Sequence, residues 1–321
     1  MRSARRFLVA SLLLSLPACA FEDLEGLGGE DEIDDIGDIE LAATTTNGVS
    51  LNGVSLNGVS LNGVSLNGVS LNGVSLNGVS LNGVSLNGVS LNGSQLTGVT
   101  STGTTKTGTA WVGAKMTGTL SNGSTLSMRV DSAATLASPN TDVWAYGISY
   151  ALADGTWSPL CGSSGGVPVL AIPLAGTWNY QADVAGGGAW TASSTAFTFG
   201  CRLTALAKCV ELGYRPWDTV GGVSMRDHHQ ACTRMIRADY CGNGHPYTQN
   251  GTQINVYDPL GIQTDAKTWP LDAKWSAAGA TCINHARVFT NGASQPTCFG
   301  TKASTTCGTT TAGVLVTDEY L

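Results

Sequence analysis

Residues 225–241 read MRDHHQACTRMIRADYC, and this stretch decides the fold of the second half of the chain. Met225, His229, Cys232 and Ile236 recur at helical spacing, which predicts a helix over 225–238 with those four side chains facing the core. Arg234 and Arg237 close that helix, and Asp239 follows where the chain must turn. One reading makes Asp239 a carboxylate that accepts backbone N–H groups or pairs with an arginine. The other makes it a general acid or base beside His245.

Upstream, residues 203–212 predict a second helix, with Leu206, Cys209 and Val210 on one side and Gly213 as its stop. The stretches DVWAYGISYALADGTWSPLC, VPVLAIPL, STAFTFGC and GTQINVYDPLGI alternate or cluster apolar residues between turn signals and predict strands. Residues 129–321 therefore predict a small disulfide-rich α+β domain. Six aromatic residues, Trp144, Tyr146, Trp157, Trp178, Tyr180 and Trp190, are dense here. An exposed platform for sugar or peptide is one use for them; core packing is expected for most.

There are nine cysteines. Cys19 stands apart near the N-terminus, leaving Cys161, Cys201, Cys209, Cys232, Cys241, Cys282, Cys298 and Cys307. An even set in an exported chain predicts four disulfides made in an oxidising compartment. Eight cysteines allow roughly a hundred pairings, and Cys298 with Cys307 is the nearest local choice.

All four histidines, His228, His229, His245 and His285, sit in this domain. His228 and Cys232 are one helical turn apart, a spacing that suits two metal ligands, and Asp239, Asp258 and His245 are further candidates. A disulfide at Cys232 and the absence of an HExxH or paired CxxC pattern argue against a metal, so no metal and no cofactor is expected. His228, His245 and Asp239 remain the candidates for acid/base catalysis. Residues 162–166, GSSGG, fit a nucleophile-elbow pattern, but a strand-like run follows instead of a helix, and a loop is expected.

Glycine recurs every five residues from Gly48 to Gly123, with Val-Ser-Leu-Asn-Gly as the early unit. The unit resembles the pentapeptide-repeat family, with Leu51, Leu56 and their successors as central inward residues. For residues 44–128 that resemblance implies a right-handed quadrilateral β-helix stalk of about 20 Å, four pentads to a coil at ~4.8 Å per coil. A flexible Gly/Asn/Ser-rich coil is the competing reading. Lys106 falls at a central position, where burial without a partner is costly.

Residues 21–40 hold ten acidic residues and no basic one, which predicts a disordered linker over 19–43. From residue 41 onward acidic and basic residues balance at thirteen each, so the body offers no basic field and no nucleic-acid partner is expected. The N-terminus has Arg2, Arg5 and Arg6, an apolar run over 7–16, and then Leu16-Pro17-Ala18-Cys19. This resembles a bacterial lipobox, which implies a signal peptide over 1–18, a lipid on Cys19 and a membrane partner through that lipid. Ala20 is no charged retention residue, which points to the outer membrane.

The segment ACTRMIRADYCGNGHPYTQNGTQINVYD, residues 231–258, contains the tetrad Ala238-Asp239-Tyr240-Cys241. With AKCVELGYRPW upstream and DAKWSAAGATCINHAR downstream, it resembles the ADYC-domain family of exported, mainly myxobacterial proteins over roughly residues 140–310. The resemblance implies an exported domain and no particular activity. Together these features are expected to make a lipid-anchored envelope protein that presents a binding module for an envelope or extracellular ligand. The alternative is a secreted metal- or acid/base-dependent hydrolase.

Overall fold

The computed structural model describes residues 45–46, residues 79–80 and, with short gaps, residues 90–319. The signal segment, the acidic linker and most of the identical pentads lie outside the described residues.

The last pentads are not a coil of parallel strands. β1 (Ser90–Asn92), β2 (Gln95–Val99) and β3 (Thr105–Thr107) make an antiparallel meander, with Leu91 opposite Leu96 and Gly98 opposite Lys106. A β-helix would pair successive coils in parallel, so for residues 90–107 that expectation is corrected. Gly93, at the first hairpin, holds φ +61°, so this glycine of the repeat serves an antiparallel turn. Lys106 is not buried either; its Nζ donates to the Ala110 carbonyl at 2.8 Å. Leu96, a central pentad residue, does face inward and is fully buried. Its N–H donates to Tyr146 Oη at 2.9 Å, and its carbonyl accepts from Trp111 Nε1 at 2.9 Å.

The main sheet follows. β4 (Lys115–Thr119), β5 (Thr125–Thr135), β6 (Trp144–Ala151) and β7 (Trp157–Pro159) form an antiparallel meander. β8 (Ala171–Ala175) pairs along its length with β9 (Ala196–Cys201) and touches β6 at Ala171↔Tyr146. The repeat segment Val79–Ser80 lies between β9 and β4.

Strand alternation splits the interior into two cores. Tyr146, Ile148, Tyr150, Ala171, Phe197 and Phe199 face one core, with Leu96, Trp111, Met116 and Met128. Ala145, Ile172 and Leu174 face the other. The second core is built on α1 (Ala205–Glu211), α2 (Met225–Arg237) and a further antiparallel sheet. That sheet comprises β10 (Gln253–Tyr257), β11 (Leu271–Ser276), β12 (Gly279–Ile283) and β13 (Leu315–Glu319), with β13 between β10 and β11 and the short segment Thr45–Thr46 on the outer side of β10. Two helices among many strands, with the cysteines in this half, make the disulfide-rich α+β domain expected from the sequence.

Both helices lie where the apolar period places them. Met225, His229, Cys232 and Ile236 are all fully buried. α1 starts two residues later than expected, because Leu203 takes φ +75° and is 41% exposed.

The eight cysteines form four disulfides: Cys161–Cys201, Cys209–Cys232, Cys241–Cys298 and Cys282–Cys307. The local Cys298–Cys307 pairing is therefore wrong. The end of α2 brings Cys241 to Cys298, and Cys282 on β12 takes Cys307. Cys209–Cys232 ties α1 to α2. Four disulfides fit an oxidising, non-cytoplasmic compartment. No helix among the described residues is long and apolar enough to cross a membrane.

Peptide mapping of the unreduced chain is expected to return these four links, and a Cys298–Cys307 peptide would contradict the fold. Replacing Cys241 and Cys298 together with alanine should cost about 2–5 kcal/mol of unfolding free energy, read from denaturant midpoints.

Candidate functional site

The tetrad at 238–241 begins where α2 stops. Ala238 takes the left-handed conformation, φ 50° and ψ 41°. Its N–H donates to Met235 O at 3.0 Å, and the Asp239 N–H donates to Arg234 O at 2.8 Å. This pair of bonds is the Schellman ending, which satisfies two carbonyls that the helix leaves open. Ala238 is fully buried. A non-glycine residue held left-handed costs roughly 1–2 kcal/mol, so its surroundings must hold it there.

Asp239 supplies part of that hold. It is fully buried, and its Oδ1 accepts from Asn243 N at 3.1 Å. Its Oδ2 accepts from Gly244 N at 2.9 Å and from Arg234 Nη1. Arg234 Nη1 also donates to Gly187 O at 2.5 Å, which draws the loop before residue 190 over the pair. Gly188 is required there, because a Cβ would lie 2.5 Å from Arg234 Nη1 and 3.1 Å from Asp239 Oδ2. Asp239 is thus the arginine-paired, N–H-accepting carboxylate of the first reading.

Tyr240 and Cys241 point into different work. Tyr240 is 1% exposed, stacks on Trp275 at 5.0 Å between centroids, and donates to Asp272 Oδ1 at 2.8 Å. Burial first, and then the Asp272 carboxylate, push its phenol well above the usual range, so it stays a donor. Asp272 Oδ2 accepts from Arg287 Nε at 2.8 Å and Thr317 Oγ1 at 2.9 Å. Arg287 closes the circuit: its N–H donates to Tyr240 Oη at 2.9 Å and its Nη1 to Met235 O at 2.7 Å. Asp272, Arg287 and Thr317 are all fully buried. Cys241 is bonded to Cys298.

The sequence did not single out Asp272, Arg287 or Thr317. The signal was present, since Asp272 and Arg287 stand at the two ends of DAKWSAAGATCINHAR, a hairpin with glycine at its turn.

His228, His229 and His245 take partners other than Asp239. His228 is 5% exposed and stacks on Tyr214 at 6.4 Å. His229 is fully buried, with Nε2 3.0 Å from Leu206 O and Trp178 edge-on at 5.7 Å. Burial, opposed in part by the Leu206 bond, pushes His229 down to about 3. His245 lies at the surface, its Nδ1 2.9 Å from Asp183 Oδ1 and its ring 4.6 Å from Tyr247. Cys232, the suggested partner of His228, is in a disulfide. Asp258 accepts from the N–H groups of Leu260 at 2.8 Å and Gln263 at 2.7 Å and from Tyr214 Oη at 2.8 Å, so it shapes its own loop. No group of three metal-binding side chains forms among the described residues.

The GSSGG segment is a two-residue hairpin, Ser163–Ser164 against Val167–Pro168. Of the aromatics, Tyr146 and Trp178 are buried. Trp144, Trp157 and Trp190 are half-buried, and Tyr180 lies outside the described residues. Trp157 carries Arg129 over its ring at 4.7 Å, and Trp190 carries Arg226 at 4.0 Å.

The family model of the ADYC domain matches residues 108–289, and the pentapeptide-repeat model matches residues 38–73 and 65–100. No curated protein and no solved structure matches this chain.

Asp239→Ala should cost about 3–5 kcal/mol in urea unfolding, because it strands a buried arginine. A loss below about 1 kcal/mol would mean the pair is solvated. His229 gives a pH signature. The unfolded chain protonates this ring below about 6.5, whereas the folded chain refuses the proton until about 3. Its contribution is therefore complete above the upper value and declines as pH falls between the two. His229→Phe should flatten the stability-against-pH curve in that window, measured against the wild type at each pH.

Proposed function

The chain belongs to the ADYC-domain family, and on that premise we propose that it is a lipid-anchored cell-envelope protein presenting a disulfide-rich binding module on a repeat spacer. The observation that carries this reading is the use of the signature itself. Asp239 is fully buried and takes Arg234, Asn243 and Gly244, while Tyr240 takes Asp272. These residues stabilise the domain, and a stapled, rigid domain suits display of surface loops to a partner. The four disulfides agree with export. The arginines, apolar run and Cys19 at the N-terminus support lipid attachment, and Ala20 supports the outer membrane. The identical pentads serve as the spacer. The ligand is an envelope or extracellular molecule.

A second reading, a secreted acid/base hydrolase, is favoured by one observation. His245 sits at the surface with its Nδ1 held toward Asp183, an arrangement that leaves the other ring nitrogen to act as a base.

Two experiments separate these readings. Cys19→Ser should move the chain from the membrane fraction to the soluble envelope fraction and abolish labelling by a fatty-acid probe; unchanged fractionation contradicts the anchor. His245→Ala should leave unfolding and ligand capture within about 0.5 kcal/mol of wild type under the binding reading, as for a surface substitution. Loss of a hydrolytic activity at unchanged stability would instead establish the enzyme.

A further inference from the structure

Among the described residues three arginines are buried, and two of them are fully engaged. Arg234 meets Asp239 and Gly187, and Arg287 meets Asp272 and Met235. The third, Arg237, is 5% exposed, yet its Nε and Nη1 atoms have no hydrogen-bond partner. Its nearest opposite charge is Asp239 at 3.9 Å. The oxygens of Asp239 already accept from Arg234, Asn243 and Gly244. Two guanidinium charges thus share one carboxylate, and this group carries one positive charge in excess.

By contrast, Arg287 balances Asp272, and the half-buried Arg202 balances Glu211. An uncompensated interior charge with unmet donors is among the most costly arrangements a fold can hold. Arg237 does not escape by losing its proton. Burial and Arg234 push its pKa down while Asp239 holds it up, and it settles at about 10. The charge is present at neutral pH and needs an acceptor. The side chain keeps only 6% of its surface, so only a compact group reaches it.

We propose that Arg237 forms an anion-binding site at the end of α2, taking a small anion such as a carboxylate, phosphate or halide. The site lies one turn beyond Thr233, and Asp239 bounds it on one side. Its occupant supplies the negative charge that the Arg234–Asp239–Arg237 group lacks. It also explains why a helix end already rich in arginine carries a second one with no partner of its own.

The test is thermal unfolding of the oxidised full chain at constant ionic strength. Sodium chloride, acetate or phosphate is exchanged for a bulky sulfonate, and equilibrium dialysis of labelled chloride and phosphate is run beside it. The expected result is a midpoint that rises with at least one of these anions and saturates, one anion bound per chain, and no such dependence in Arg237→Met. Saturation with chloride alone identifies a structural counter-ion in the proposed site. Saturation with acetate or phosphate identifies a seat for an acidic group. If Arg237→Met does not fold, Arg237→Lys keeps the charge but not the fork of donors, and a tenfold or greater loss of apparent affinity is expected. An unchanged affinity in Arg237→Lys, or no saturable anion binding by the wild type, overturns the proposal, because water alone would then meet the guanidinium.

Discussion

The carboxylate of Asp272 is the constraint on which the second half of the chain depends. It is fully buried and accepts from Tyr240, Arg287 and Thr317. Those partners come from the end of α2, from the segment after β12 and from β13, so one side chain fixes a helix to three parts of a sheet. Such an ion pair contributes little over a well-packed apolar substitute, but breaking it by removing one partner costs about 3–5 kcal/mol. The asymmetry makes it a specificity device here, since only one placement of β11, β12 and β13 against α2 satisfies every donor.

The tetrad feeds this constraint by four separate physical routes. Ala238 ends the helix in a left-handed turn, Asp239 fastens the turn to Arg234 and to two backbone N–H groups, Tyr240 reaches Asp272, and Cys241 is bonded to Cys298. Four adjacent residues therefore point into four different parts of the interior. A motif of this kind identifies a fold, and the parts free to vary and to recognise a ligand are the loops that it anchors. The His245–Asp183 contact joins two such loops.

Much of this architecture was legible because it rests on local periods. The helix over α2 follows from the spacing of Met225, His229, Cys232 and Ile236, and the even cysteine count follows from stapling a small exported domain. The disulfide partners were not legible, because sequence distance makes Cys298 and Cys307 look close while the strand order carries Cys282 and Cys241 to them. The five-residue glycine period was visible, but its meaning was not. The same spacing suits a β-helix corner and the antiparallel turn that Gly93 makes, and at residues 90–97 the pairing of Leu91 with Leu96 selects the turn. Asp272 and Arg287 were hidden because their partnership depends on β11 and β12 folding back on each other, and a charge pair fifteen residues apart has no period to betray it.

The most direct measurement is a double-mutant cycle between Tyr240 and Asp272, using Tyr240→Phe, Asp272→Asn and the pair, with unfolding free energies of the oxidised chain from urea titration. If the tetrad is a structural clamp, the two substitutions are coupled by about 1 kcal/mol or more, as expected for groups in one buried network. Additive effects within about 0.3 kcal/mol would show that Tyr240 and Asp272 act independently, and the account of the signature as the anchor of the fold would fail.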